Sequence, residues 1–269
     1  MIATTRTIAL DNEILRGVVG STSHGTAIEG QDDRDEMGVF VEPPESVCGL
    51  APCDHYIYRD QPEGVRSQPG DLDLTMYSLR KFCRLAAHGN PSVILLLWLP
   101  SYVSEAQIGC DLIAMRDAFV SRESGERFLG YLRAQKMRLT GERSRTVNRP
   151  ELVAKYGYDT KFAMHALRLG FEGIELMADR RLTLPVAEPN LTTLRAVRSG
   201  QINFSEAVSL IETTEARLRQ LVDACTWTVD IDAINQFLVR AHIQHWESRG
   251  VMPSPEPFIS GLVLPPHRT

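Results

Sequence analysis

Residues 18–41, VVGSTSHGTAIEGQDDRDEMGVFV, constrain this chain more than any other stretch. An apolar run ends at Gly20-Ser21, a small-residue segment follows with Gly25, and Asp33-Arg34-Asp35 leads into a second apolar run over residues 38–41. The pattern predicts two strands flanking a turn of phosphate size. A strand that runs into Gly-Ser and then a helix presents unpaired backbone N–H groups and a hydroxyl to an anion, which suits a triphosphate. Asp33 and Asp35 are two apart, and in extended backbone residues i and i+2 share a face. Both carboxylates can therefore meet one divalent cation. Hard carboxylate oxygens suit Mg²⁺, which takes one or two of them and fills its shell with waters and substrate phosphates.

The rest of the chain supplies the frame for such a site. With 269 residues, 43% of them hydrophobic, it can bury a sizeable core in one or two domains. A net charge of -5 and a pI near 5.8 argue against a general nucleic-acid coat. Acidic active-site residues contribute to that balance, so a local basic groove stays compatible with it. Five scattered cysteines, Cys48, Cys53, Cys83, Cys110 and Cys225, and an N-terminus without a basic-then-apolar leader read as cytoplasmic with reduced thiols. No apolar run approaches the ~18 residues that span a bilayer, the best being residues 93–99, so no membrane role is expected.

Residues 1–11 alternate weakly and read as a leading strand or a loose arm, and residues 14–19 as the first firm strand, with a small helix from Ser21. Pro43-Pro44 stops the second strand, since proline cannot donate to a ladder. Residues 46–70, rich in Pro, Gly, Asp and Gln, read as a long active-site loop with a short strand at Tyr56-Ile57-Tyr58. Residues 71–77 alternate with period two, placing Asp71, Asp73 and Thr75 on one face. A helix is expected from Tyr77 or Ser78 to His88, stopped by Gly89. Asn90-Pro91 then restarts one, with Asn as N-cap and Pro at the first position. On the first of these helices Lys81, Arg84 and His88 form one basic stripe.

Beyond this the sequence reads as helical: residues 106–121, 125–143, 158–177, 191–198, a helix capped at Asn203 running to residue 224, and a last one from Asp230 or Asp232 to residue 248. Arg133 and Lys136 share a polar side of the second of these. On the helix over 158–177, Lys161, His165, Arg168 and Glu172 follow one another at four- and three-residue steps, beside a core side of Phe162, Leu169 and Leu176. Residues 144–150 read as a loop, 182–185 as a short extended piece, and 251–269 as a Pro-rich tail. Cys48, Cys53 and His55 fall short of a zinc set, which takes four ligands at closer spacing. His242 and His245 read as surface or core residues. Ser21 lies in no nucleophile elbow, and the Gly-Ser turn lacks the GK[ST] ending of a P-loop.

Gly20-Ser21 with Gly25, followed by Asp33-x-Asp35 and Gly38-Val39, resembles the active-site signature of the nucleotidyltransferase superfamily of beta-type DNA polymerases and kanamycin nucleotidyltransferase. LRKFCRLAAHGNPSVILLLW (79–98), FLGYLRAQKMRL (128–139) and GYDTKFAMHALRLGFEGIEL (157–176) are similar to the narrower group of predicted bacterial and phage nucleotidyltransferases, one branch of which is called RNA-ligase-associated polymerase. The likeness spans about residues 15–246.

The resemblance implies an α+β fold: a small mixed-sheet nucleotidyltransferase domain over 1–105, a mostly helical domain over 106–250 and the tail. It implies Asp33, Asp35 and a third carboxylate, Asp73 with Asp71 in reserve, as catalytic metal ligands for Mg²⁺ or Mn²⁺. Asp33 and Asp35 would hold one ion against the β- and γ-phosphates, and with Asp73 a second near the acceptor hydroxyl. Gly20 and Ser21 would anchor pyrophosphate, Lys161 and Arg168 phosphates, and His165 base or sugar; Lys81 belongs to the resemblance as a further nucleotide contact. The substrates implied are a nucleoside triphosphate and an acceptor hydroxyl, in order an RNA or tRNA 3′ end in RNA repair, a protein, or a small molecule. A nucleotide-binding regulator without turnover is the reading from another class, against which the presence of both Asp33 and Asp35 speaks. The family often has Arg just before the glycine at Gly38; Met37 stands there, so that any phosphate contact of that Arg is either missing or supplied by a neighbour such as Arg34.

Overall fold

The computed structural model describes residues 4–28, 33–62, 65, 68–142 and 149–253. Of the expected loop over 144–150 only Arg149 and Pro150 are described, and there the chain already enters a helix with Pro at its first position; most of the Pro-rich tail lies outside the described residues. The chain opens with a helix, α1 (Thr5–Asp11), where weak alternation suggested a strand or an arm. Thr4 caps it by accepting the Thr7 N–H, and burial of Ala9 against Phe40, Leu74 and Met76 outweighs the local pattern. There follow β1 (Glu13–Val18), α2 (Gly20–His24), β2 (Arg34–Phe40), α3 (Pro44–Cys48), β3 (His55–Arg59) and β4 (Leu72–Ser78). The stretch expected as a long loop with a short strand at Tyr56-Ile57-Tyr58 thus holds that strand, lengthened by one residue at each end at the sheet edge, and the end of a helix.

Next come α4 (Leu79–Ala87) and α5 (Pro91–Ile94), capped by Ser78 and Asn90 through the Lys81 and Ser92 N–H groups. The apolar run after Pro91 passes into a 3₁₀ turn over Leu95–Trp98, and Ser104–Glu105 form the short β5. The single helix expected over 106–121 is broken at Met115 into α6 (Gln107–Ala114) and a 3₁₀ turn, Arg116–Phe119. The helical remainder is α7 (Arg122–Leu139), α8 (Pro150–Tyr156), α9 (Thr160–Asp179), α10 (Asn190–Arg198), α11 (Phe204–Ala224) and α12 (Ile231–Arg249). Asp159, Asn203 and Asp230 cap the three longest of these after α7. No helix among the described residues is long and apolar enough to cross a membrane.

The strands described form one sheet in the order β3-β4-β2-β1-β5, in which β2 and β4 run parallel and the other neighbours antiparallel. Alternation sorts its faces. Phe40, Leu74 and Met76 point to α1, whereas Met37, Val39 and Val41 enter a core shared with the helices. Asp35 has the parity of Met37 and Val39, so its side chain stands on the helix-covered face.

Above that face α7, α9 and α11 pack closely because glycines let their backbones approach. A Cβ on Gly173 would stand 2.9 Å from both Leu218 and Phe128. Arg133 and Lys136, expected only as a polar side of α7, clamp Glu215 of α11 at 2.6 and 2.8 Å. The last helix returns to the sheet. His242 Nε2 meets Glu42 Oε2 at 3.1 Å, the Trp246 indole N–H donates to the Glu42 carbonyl at 2.8 Å, and His245 Nε2 lies 2.8 Å from Asn12 Oδ1. Both histidines are buried, within the core-or-surface alternatives the sequence allowed.

Two outcomes follow from this packing. Gly173→Leu overfills the α9–α11 contact and is expected to lower the free energy of unfolding by about 1–3 kcal/mol in urea titration. Burial raises the Glu42 carboxyl, but hydrogen bonds and charge from His242, with Ser78, outweigh it, and the net displacement is below the ordinary value of 4.5. A folded-state pKa below the unfolded one contributes stability that is present above the unfolded value and lost as pH falls through the folded one. Thermal unfolding of Glu42→Gln should therefore lose less stability than wild type between pH 5 and pH 3, about the range where such a carboxylate titrates.

Candidate active site

Parallel pairing of β2 with β4 sets Asp35 opposite Asp73. Asp33 lies two residues before Asp35, and one carboxylate oxygen from each of Asp33, Asp35 and Asp73 falls within 4.8 Å of the others. All three are partly exposed, and among the described residues no other three His, Cys, Asp or Glu side chains converge in this way. Like charges directly opposite on neighbouring strands are destabilising. A divalent cation turns that repulsion into attraction, and an all-oxygen donor set fits Mg²⁺ or Mn²⁺ better than softer metals. Asp71 is not in the cluster. Its carboxylate accepts the Gln68 N–H at 2.7 Å and closes the turn before β4.

Gly20, at the junction of β1 and α2, backs this cluster. Its φ of +68° favours glycine, and a Cβ there would overlap the Asp35 carboxylate. Ser21 occupies the first turn of α2, and its carbonyl accepts the Thr26 N–H at 3.0 Å. Gly20, Asp35 and Asp73 line a cleft of about 340 Å³ with Arg59, Ser92 and Arg168. Arg59 comes from β3, inside the stretch read as a loop, and pairing opposite Asp73 puts its Nε 3.8 Å from that carboxylate. The Gln61 amide donates to the same oxygen at 3.2 Å.

One wall of the cleft is a buried network that joins the turn to the helical region. His24, at the end of α2, meets Glu172 Oε1 through Nδ1 at 2.7 Å, and Arg168 NH1 lies 2.8 Å from its Nε2. Arg168 NH1 also donates to Glu172 Oε2 at 2.9 Å. Burial first, then the Arg168 charge, holds His24 below its usual pKa against the opposing pull of Glu172. The neutral ring thus donates from Nδ1 to Glu172 and accepts at Nε2 from Arg168. Burial raises Glu172, yet Arg168 and His24 bring it below the ordinary carboxylate range. The sequence placed Arg168 and Glu172 on one helical stripe but gave His24 no role. Its signal was a histidine inside a small-residue turn, beside Gly25.

The remaining expected contacts spread out. Lys81 Nζ sits 3.0 Å from His55 Nδ1 and over the ring of Tyr77, a residue of the cleft lining, but Lys81 itself does not line the cleft. Lys161, in the first turn of α9, and His165, one turn on, precede Arg168 along the helix and also fall outside the cleft lining. Arg34, the neighbour expected to replace a phosphate contact at Met37, turns its guanidinium onto buried Glu36 at 2.6 Å. The cations of the cleft are Arg59 and Arg168.

Because a methyl group on residue 20 collides with Asp35, Gly20→Ala is expected to weaken Mn²⁺ binding, read by electron paramagnetic resonance, at least about tenfold, equivalent to about 1.4 kcal/mol. A Ser92→Ala variant, at the cleft wall but outside the carboxylate cluster, should leave Mn²⁺ affinity unchanged.

No curated protein matches the chain. Among solved structures, a nucleotidyltransferase-like protein from Exiguobacterium sibiricum 255-15 is similar at 12% identity, over 89% of this chain and 79% of that one, with a TM-score of 0.31. The sequence itself matches the family model RlaP, described as the RNA repair pathway DNA polymerase beta family, over residues 6–248. A match of that extent takes in the sheet, the three carboxylates and the helices up to α12, and the chain belongs to the RNA repair pathway DNA polymerase beta family.

Proposed function

We propose that this nucleotidyltransferase-family chain is a divalent-metal-dependent enzyme that moves a nucleoside monophosphate from a nucleoside triphosphate to a 3′ hydroxyl of RNA, releasing pyrophosphate. The observation that carries the reading is the convergence of Asp33, Asp35 and Asp73, the last two lining a cleft with Gly20 and Arg168. Family membership supports the transfer chemistry, and the RNA-repair description of the family supports the acceptor.

Asp33, Asp35 and Asp73 would hold Mg²⁺ or Mn²⁺, which supplies charge neutralisation for in-line displacement at the α-phosphorus. The chain's own groups do the rest. Gly20 and Ser21 border the turn that receives the outgoing pyrophosphate, and the absence of a side chain on Gly20 leaves Asp35 its place. Arg168, fixed through NH1 by His24 and Glu172, offers its other guanidinium nitrogens to phosphate oxygens. Asp73 accepts the proton of the attacking hydroxyl. Arg59, exposed on the edge strand, balances the charge of Asp73 before substrate enters.

Incubation with Mg²⁺, each α-labelled nucleoside triphosphate in turn and an RNA with a free 3′ hydroxyl should move label onto the RNA. Asp35→Asn should lower that transfer at least about 100-fold. Label on protein instead of RNA would reassign the acceptor. Triphosphate binding without transfer to any acceptor would identify a nucleotide-binding regulator.

A further inference from the structure

The carboxylates divide the cleft along the strand order of the sheet. On the β1 side of Asp35 lie Gly20, the first turn of α2 and Arg168, which meets α2 through His24. On the opposite side lie Asp73 on β4 and the edge strand β3. In-line displacement puts the entering and leaving oxygens on opposite sides of the phosphorus. With pyrophosphate leaving toward Gly20, Ser21 and Arg168, the attacking hydroxyl comes from the β4–β3 side.

Strand register lays out what that side offers. Asp73, Thr75 and Tyr77 share a face of β4 with Asp35 of β2, and pairing sets Arg59, Ile57 and His55 opposite them on β3. Thr75, Tyr77 and Ile57 line the cleft with Leu95, and Ile57 is 51% exposed. From Asp73 to Tyr77 this shelf runs about 13 Å, at ~3.3 Å per residue. At its far end the Lys81 ammonium donates to His55 Nδ1 at 3.0 Å and lies 5.9 Å from the centroid of the Tyr77 ring. Among the described residues Lys81 meets no carboxylate, and the Thr75 and Tyr77 hydroxyls make no hydrogen bond. The shelf thus passes from the carboxylates, over two uncommitted hydroxyls and an apolar side chain, to a cation without a counter-charge.

We propose that the β3–β4 shelf holds the terminal nucleotide of the RNA acceptor, with Thr75 bonding its ribose 2′-hydroxyl and Lys81 the phosphate on its 5′ side. The assignment rests on the RNA 3′-end reading above. The 3′ oxygen gives its proton to Asp73, bonds to the α-phosphorus and displaces pyrophosphate. The 2′-hydroxyl sits on the adjoining ribose carbon, and Thr75 is the next residue after Asp73 on that face of β4. Ile57 and the Tyr77 ring give the base an apolar surface to lie on, a contact that tolerates any base. A contact to the 2′-hydroxyl is what separates RNA from DNA, so Thr75 determines the sugar specificity of the acceptor.

Transfer from an α-labelled nucleoside triphosphate to two 12-nucleotide RNAs, one ending in ribose and the other in 2′-deoxyribose, tests the assignment with the full chain. Thr75→Val should shrink the kcat/KM preference for the ribose end about 3- to 10-fold, and Thr75→Ser should keep it. Fluorescence anisotropy of the labelled RNAs, without triphosphate, reads the shelf apart from turnover. There Lys81→Ala should weaken binding of both RNAs about 3- to 10-fold and reduce the slope of log affinity against log salt by about 0.7, and Lys81→Arg should restore both. Affinity for Mn²⁺ and for the triphosphate should stay at the wild-type value in all four variants. A wild type indifferent to the terminal 2′-hydroxyl, an unchanged preference in Thr75→Val or an unchanged RNA affinity in Lys81→Ala would overturn the proposal. An equal loss of triphosphate affinity would do so too, assigning the shelf to the incoming nucleotide, as would label on protein instead of RNA. If Lys81→Ala weakens RNA binding as described but no label ever reaches RNA, the shelf stands and the transferase reading fails.

Discussion

Two aspartates held side by side across a parallel strand pair are the constraint on which the structure turns. Asp35 and Asp73 face each other because β2 and β4 run in register, and Asp33 adds a third carboxylate from just before β2. In the absence of a cation the arrangement is unfavourable, and nothing in the apolar packing of the sheet calls for it. The surrounding features are arranged to tolerate and use it. Gly20 removes the side chain that would displace Asp35, β3 brings Arg59 to Asp73, and the parity of β2 turns the carboxylates toward the helices.

What keeps those helices in place is a pair of buried polar links between distant parts of the chain. His24, Glu172 and Arg168 join the turn that begins at Gly20 to α9, and Glu42, His242 and Trp246 join the end of β2 to α12. Each link satisfies polar groups that would otherwise be costly to bury. The first also holds a cation in place. A neutral His24 accepting from Arg168 fixes one guanidinium nitrogen and leaves the cation at the cleft wall, where a flexible arginine would pay more entropy to bind phosphate.

Much of this was legible in the chain. The period of residues 71–77, the caps at Asn90 and Asn203, and the i, i+2 spacing of Asp33 and Asp35 each rest on local rules, and the sheet and helices follow them. The carboxylate alternatives at Asp71 and Asp73 were open because both share a strand face; only the turn at Gln68 separates them. Where tertiary contacts rule, the sequence was silent. Ala9 draws α1 into a helix by packing on Phe40, β4 lengthens the short strand expected at Tyr56-Ile57-Tyr58 as far as Arg59, and Lys81 turns to His55. His24 became significant only when folding brought Glu172 to it from a helix far along the chain.

The central claim is that Asp33, Asp35 and Asp73 jointly hold a divalent cation against the phosphates of a nucleoside triphosphate. Anomalous diffraction from crystals grown with Mn²⁺ and a triphosphate whose α,β-bridge resists cleavage tests it directly. The expected result is a manganese peak about 2.0–2.3 Å from oxygens of these three carboxylates and of the triphosphate. A triphosphate bound elsewhere, with no manganese at the carboxylates, would contradict it.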